Sequence, residues 1–133
     1  TMQKIKDRKD ELIAIILRYE DNFKEKKYFV TENEQEMQLA SFNLSKGTII
    51  ENHIHLNQER NITSTSEVIV LIEGKLKVDI YDEELTLINS EVISDGDVVA
   101  LFKGGHGITV LEESKFIESK QGPYLMDLDK KRF

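Results

Sequence analysis

Glu67-Val68-Ile69-Val70-Leu71-Ile72-Glu73-Gly74-Lys75-Leu76-Lys77-Val78-Asp79-Ile80-Tyr81 carries two strand patterns back to back. In the second half, Leu76, Val78 and Ile80 alternate with lysines and Asp79, the period of two that marks a strand with one buried face. In the first half, Val68 to Ile72 is apolar at every position, as in a strand covered on both sides. Gly74 between them is expected to close a tight hairpin, because glycine reaches positive φ without steric cost.

The same reading extends along the chain. Leu12–Leu17 follows the charged stretch Lys4–Glu11, which suits a helix. Yet Asp7-Arg8-Lys9-Asp10 is turn-like, and three isoleucines in six residues favour a strand. Further strands are expected at Tyr28–Val30, Met37–Leu44, Thr48–Ile54, Thr86–Ile93, Asp97–Phe102, Gly107–Leu111 and Lys115–Lys120. Met37, Phe42 and Phe102 read as core. All seven glycines fall between these segments or at their ends, where turns are needed. Many short strands with such punctuation imply an all-β sandwich or barrel. No repeat, low-complexity run or linker divides the 133 residues, so one domain is expected over 1–133.

Composition narrows the partners. Apolar residues make up 39% and charged residues 32%, with a formal charge of −7. An acidic chain without a basic stripe repels phosphate backbones, so no nucleic-acid partner is expected. Lys130-Lys131-Arg132 is short, lies near Asp127 and Asp129, and reads as a solvated tail. There is no cysteine, hence neither disulfide nor thiolate. The apolar run Leu12–Leu17 is too short for a secretory core or a membrane span. Met2 is expected to be the natural start, with Thr1 an addition ahead of it, and the cytoplasm the compartment.

Chemistry concentrates in the three histidines. His53 and His55, two apart on a strand, share a face, so their rings can converge on one point. Glu67 heads an apolar run, where a carboxylate is costly to bury unless paired. His106 sits in Lys103-Gly104-Gly105-His106-Gly107. Three imidazoles and a carboxylate suit one divalent Fe, Mn, Ni, Co or Zn ion, and the absence of cysteine argues against a closed structural zinc site. The plain alternatives are two surface histidines, an exposed glutamate and a flexible glycine loop.

These residues also resemble a known family. Gly47, five residues, His53, one residue, His55, then Glu67, six residues and Gly74 resemble the first motif of the cupin superfamily. Gly96 through Gly104 to His106 resembles its second. The resemblance covers about Gly47 to Lys120 and implies a double-stranded β-helix, an RmlC-like jelly-roll barrel with core about 37–120 and extra N-terminal strands. It further implies a divalent metal inside that barrel, held by His53, His55, Glu67 and His106. The pattern departs from the family in four places. Eleven residues separate His55 from Glu67 where the family has far fewer, Phe102 replaces a proline, His106 arrives one residue early, and Val110 replaces an asparagine. Gly-Gly-His-Gly with Glu118-Ser119-Lys120-Gln121-Gly122-Pro123-Tyr124 looks like a group of small bacterial cupins. Some of these are associated with surface-polysaccharide or sugar-nucleotide biosynthesis.

Other residues have two readings each. Arg60, in the insert Asn57–Ser66, is either a solvated arginine or a grip for a substrate carboxylate or phosphate. Phe116, Glu118 and Lys120 share one strand face. If inward, Glu118 contacts substrate and Lys120 serves in acid/base or orienting roles; if outward, they form a surface ion pair of little energy. Tyr81 and Tyr124 are possible proton donors or simply packed rings. Three functions follow. The first is a metal-dependent enzyme, of isomerase, epimerase or dioxygenase type, acting on a sugar, a sugar nucleotide or a small organic acid. The second is a metal-free sugar-nucleotide isomerase or epimerase using His53 or His55 as base and Tyr81 as acid. The third is a non-catalytic small-ligand-binding cupin. The partners expected are a small molecule and a second copy in a homodimer, paired through strands at the start of the chain, with no membrane.

Overall fold

The computed structural model describes residues 2–133. Eight strands run in order: β1 (Met2–Lys6), β2 (Leu12–Leu17), β3 (Lys27–Phe29), β4 (Ala40–Phe42), β5 (Glu67–Tyr81), β6 (Leu87–Ser94), β7 (Val98–Leu101) and β8 (Gly105–Lys120). A single 3-10 turn, Tyr19–Asp21, follows β2. Among the described residues no helix is long and apolar enough to cross a membrane.

Six strands make one antiparallel sheet in the order β1-β2-β7-β5-β6, with β8 paired to β5, while β3 and β4 form a separate pair. The hairpin expected at Gly74 is absent. β5 is one strand of 15 residues, and β8, of 16, fuses the expected Gly107–Leu111 and Lys115–Lys120 strands. Gly74 marks a bend instead. Its φ is +121°, and the β5–β8 register shifts between Leu71 and Glu73, Glu73 and Lys75, and Lys75 and Leu76. A Cβ at Gly74 would stand 2.2 Å from Ser114 Oγ and 2.6 Å from Glu113 O, so β8 crosses too closely for any side chain. A glycine between two strand patterns serves a bulge as well as a turn, and here the bulge lets both strands continue.

Along one side of β5 the first half pairs with β7 and the second with β6, while β8 follows the other side throughout. The bend therefore turns the sheet over itself. Ile69 and Leu71 from the first half meet Leu76, Val78 and Ile80 from the second in one core, with Ile13, Ile16, Ile93, Val99 and Leu101. On the opposite face Ile15, Leu17, Val30, Ala100 and Phe102 form a second cluster, joined by Tyr28, Met37, Leu39, Val68 and Val98. Val68 and Ile69 thus face different cores, as the unbroken apolar run predicts, but Ile72 is exposed where the bend begins. Phe42 is also exposed rather than core, edge-on to Phe29. β1 and β2, ahead of residue 37, join the same sheet and add Ile5, Ile13 and Ile16 to the main core.

The all-β class is as expected, but the sheet does not close. On one side β1 and β6 approach each other. Gln3 Nε2 donates to Glu91 Oε1 at 2.8 Å, and Arg18 reaches Glu91, Asp97 and the Val92 carbonyl. On the other side β8 has strand partners along only one edge. Thr48–Ile54, expected as a strand, belongs to no sheet.

Asp82 fastens the two ends of this wrap. Its carboxylate, 1% exposed, accepts from the backbone N–H groups of Thr86 and Glu84 at 2.9 and 3.0 Å, and from Arg8 Nε at 3.0 Å. These donors, the Thr86 amide foremost, hold its carboxyl below the usual aspartate range. A depressed folded-state pKa contributes stability that is complete above the unfolded value and lost as pH falls through the folded one. Stability is therefore expected to decline below about pH 4, and Asp82→Asn should flatten that decline in urea unfolding at a series of pH values. At the bend, Gly74→Ala is expected to cost more than about 1 kcal/mol in the same assay, since both φ and the space beside Ser114 forbid a side chain.

Candidate functional site

Glu67 opens β5 and is bracketed in register by Leu101 of β7 and Lys120 of β8. Directly opposed residues in an antiparallel pair share a face. Glu67 therefore faces inward with Ile69 and Leu71, at the end of the main core, and is 6% exposed. By the same rule Lys120, Glu118 and Phe116, opposite Glu67, Ile69 and Leu71, share the face of Glu67, where Lys120 is half-buried and Glu118 and Phe116 are exposed. His106 is opposite Ile80, inward from the other half of the bent ladder. Folding the ladder over brings His106 Nε2 to 2.8 Å from Glu67 Oε1, although the residues are 39 apart in sequence.

That contact is close but poorly aligned. Glu67 Oε1 is shielded from solvent and receives no aligned hydrogen bond among the described residues. The His106 donor contact is still the largest influence holding the Glu67 carboxyl below the usual glutamate range. It outweighs burial, which acts in the opposite sense, and Glu118 and Lys120 assist. Lys120 lies 3.3 Å from Asp129 Oδ2 and over the Tyr124 ring, 5.1 Å from its centroid. Its ammonium is held above the ordinary lysine value, chiefly by the hydrogen bond to Asp129. The tail read as solvated thus sends one acid, Asp129, to the mouth of the site. Nothing in the local sequence distinguishes that aspartate from its neighbours.

The remaining candidates lie elsewhere. His53 and His55 sit side by side, ring centroids 5.3 Å apart, as residues two apart on an extended chain do. Both are exposed, with His53 Nδ1 2.8 Å from the Glu51 carbonyl. Arg60 is exposed on the same segment. Tyr81 follows Ile80, so it turns to the outer face, away from His106, and packs edge-on against Phe133 at 5.0 Å. The sequence grouped four ligands; one chain brings two of them together. Among the described residues no three His, Cys, Asp or Glu side chains gather as a metal requires. A cleft of about 470 Å³ lies beside the second cluster, lined by Glu11, Glu32, Glu34, Glu36, Phe102 and Lys103, and touches none of these residues.

No protein-family model, curated protein or solved structure matches the chain.

His106→Ala removes the contact that most lowers the Glu67 carboxyl. Its pKa is then expected to rise, read by carbon-13 NMR titration of Glu67. Leaving a buried oxygen with no neighbouring donor should also cost about 1–3 kcal/mol in urea unfolding.

Proposed function

We propose that the chain is a metal-binding cupin-type protein that takes a small, oxygen-rich molecule at the open mouth of its curled sheet. The observation that carries this reading is the shielded Glu67 Oε1, lacking an aligned donor, beside an imidazole 2.8 Å away. A carboxylate oxygen left unsatisfied at the end of a hydrophobic core is costly unless something else binds it. A divalent cation is the natural occupant for a carboxylate–imidazole pair. Glu67 and His106 would hold it from the sheet, with His53 and His55 as the remaining donors. Glu118 and Lys120, on the face of Glu67, would meet the oxygen atoms of a sugar, sugar nucleotide or organic acid. The spacing of Gly47, His53, His55, Glu67 and Gly74 supports the jelly-roll assignment, with closure of the barrel left to the segment that carries the two histidines.

One observation favours a metal-free reading. The contact made between Glu67 and His106 also suits a carboxylate orienting an imidazole for proton transfer. Elemental analysis of the purified protein separates the two. About one equivalent of Mn, Fe, Co, Ni or Zn per chain is expected, falling at least tenfold in Glu67→Gln and in His53→Ala. A protein that stays metal-free after exposure to all five ions, yet exchanges solvent deuterium into a keto-sugar nucleotide, would replace the metal with the imidazole as the working group.

A further inference from the structure

The segment between β4 and β5 is exposed at every residue from 45 to 61. From Ile49 to Thr63 it makes no main-chain to main-chain hydrogen bond among the described residues. Ile49, Ile54 and Leu56 are 84%, 82% and 80% exposed, and Ile50 is exposed with them. Four large aliphatic side chains within eight residues, all in water, need a cover that the chain itself does not supply. The pattern is that of an amphipathic strand: Ile50, Ile54 and Leu56 alternate with His53 and His55.

A matching vacancy lies on the sheet. β8 is 16 residues long, and its edge away from β5 has no strand partner among the described residues. Next to that edge Val110, Leu111, Phe116 and Ile117 remain exposed. A strand laid on this edge would satisfy both rows of backbone groups. With its histidine face turned inward, it would set His53 and His55 beside His106, which belongs to β8 itself.

We propose that the occupant of the β8 edge is the His53–His55 arm of a second copy of this chain, so that each metal site takes Glu67 and His106 from one protomer and His53 and His55 from its partner. The inference rests on the metal reading above. Two features favour a second copy over the arm's own sheet. On its own chain the arm leaves its four aliphatic residues uncovered and its imidazoles away from Glu67 and His106. The eleven residues between His55 and Glu67 span up to roughly 40 Å when extended, enough to reach a neighbouring molecule. Reciprocal exchange about a two-fold axis closes on itself, leaving neither arm nor β8 edge free. The dimer contact expected from the first strands of the chain would use a different edge, that of β1, which pairs with β2 and meets β6 through Gln3 and Glu91.

Co-expression of His53→Ala/His55→Ala with Glu67→Gln/His106→Gln, followed by native mass spectrometry in Ni(II), tests this directly. Each variant alone lacks one half of every site. An exchanged heterodimer regains one intact site of its two, so an equal mixture recovers about a quarter of the wild-type Ni(II) per chain. Wild-type protein that binds Ni(II), with heterodimers that form but recover none, would overturn the exchange and leave the metal reading intact. Wild-type protein that binds no Ni(II) sinks that reading instead, and the exchange is then judged by oligomeric state. Ile54→Ser/Leu56→Ser, at positions exposed in the single chain, should turn the dimer into a folded monomer by light scattering. A wild-type monomer, or a variant that remains dimeric, would refute the exchange.

Discussion

Everything in this fold depends on β5 and β8 bending together without ending. Two antiparallel strands of 15 and 16 residues would lie too long and flat for a domain of this size if straight. The bulges around Gly74 redirect the ladder, and the close approach of Ser114 and Glu113 makes glycine obligatory at the crossing point. The consequence is both structural and chemical. Residues near opposite ends of one ladder, Glu67 at the start of β5 and His106 near the start of β8, become neighbours across the interior. Without the bend, Leu71 and Leu76 would belong to separate surfaces, and the chain would lack its largest core.

The electrostatics follow from that geometry. Glu67 occupies the place in its row where Ile69 and Leu71 set the pattern, so its carboxylate is drawn out of water by the burial of its neighbours. An imidazole at 2.8 Å offsets part of that cost, and a lysine in the same row contributes from further away. Lys120 is itself held by Asp129, which limits how closely it serves Glu67. The result is a carboxylate that is ionised, shielded and incompletely satisfied. Asp82 makes a useful contrast: also buried, it receives two backbone donors and an arginine, and it serves as a fastener.

Much of this was legible in the residues. Alternation in Leu76, Val78 and Ile80 identified a buried face, and the isoleucines of Leu12–Leu17 outweighed the charged run that suggested a helix. Glu67 stood out because a carboxylate leading an apolar strand needs a partner, and His106 is in contact with it. The bend was not legible, because Gly74 fits a hairpin turn and a bulge equally well, and only the opposing strand decides. β1 was hidden by Lys4 and Lys6, whose alternation with Ile5 was masked by the charges that follow. Tyr81 lies on the outer face through parity alone, because Ile80 before it faces inward. Asp129 is a long-range contact of a tail with no periodic pattern.

The free edge of β8 bears on how the chain avoids sticking to the wrong partner. Long unpaired edges recruit other strands, and natural sheets blunt them with charges, bulges or a cover. β8 has the first two near its middle: Glu112 pairs with Lys75, Lys115 with Glu73, and the register shifts lie between them. Toward Gly105–Val110 and Phe116–Ile117 it has little of either, and apolar residues show on the surface. A sheet protected by charge alone would place its charges there. Val110, Leu111, Phe116 and Ile117 stay exposed along β8, and Ile49, Ile50, Ile54 and Leu56 stay exposed on the segment ahead of β5, so the strand exchange proposed above would protect two apolar surfaces with one contact.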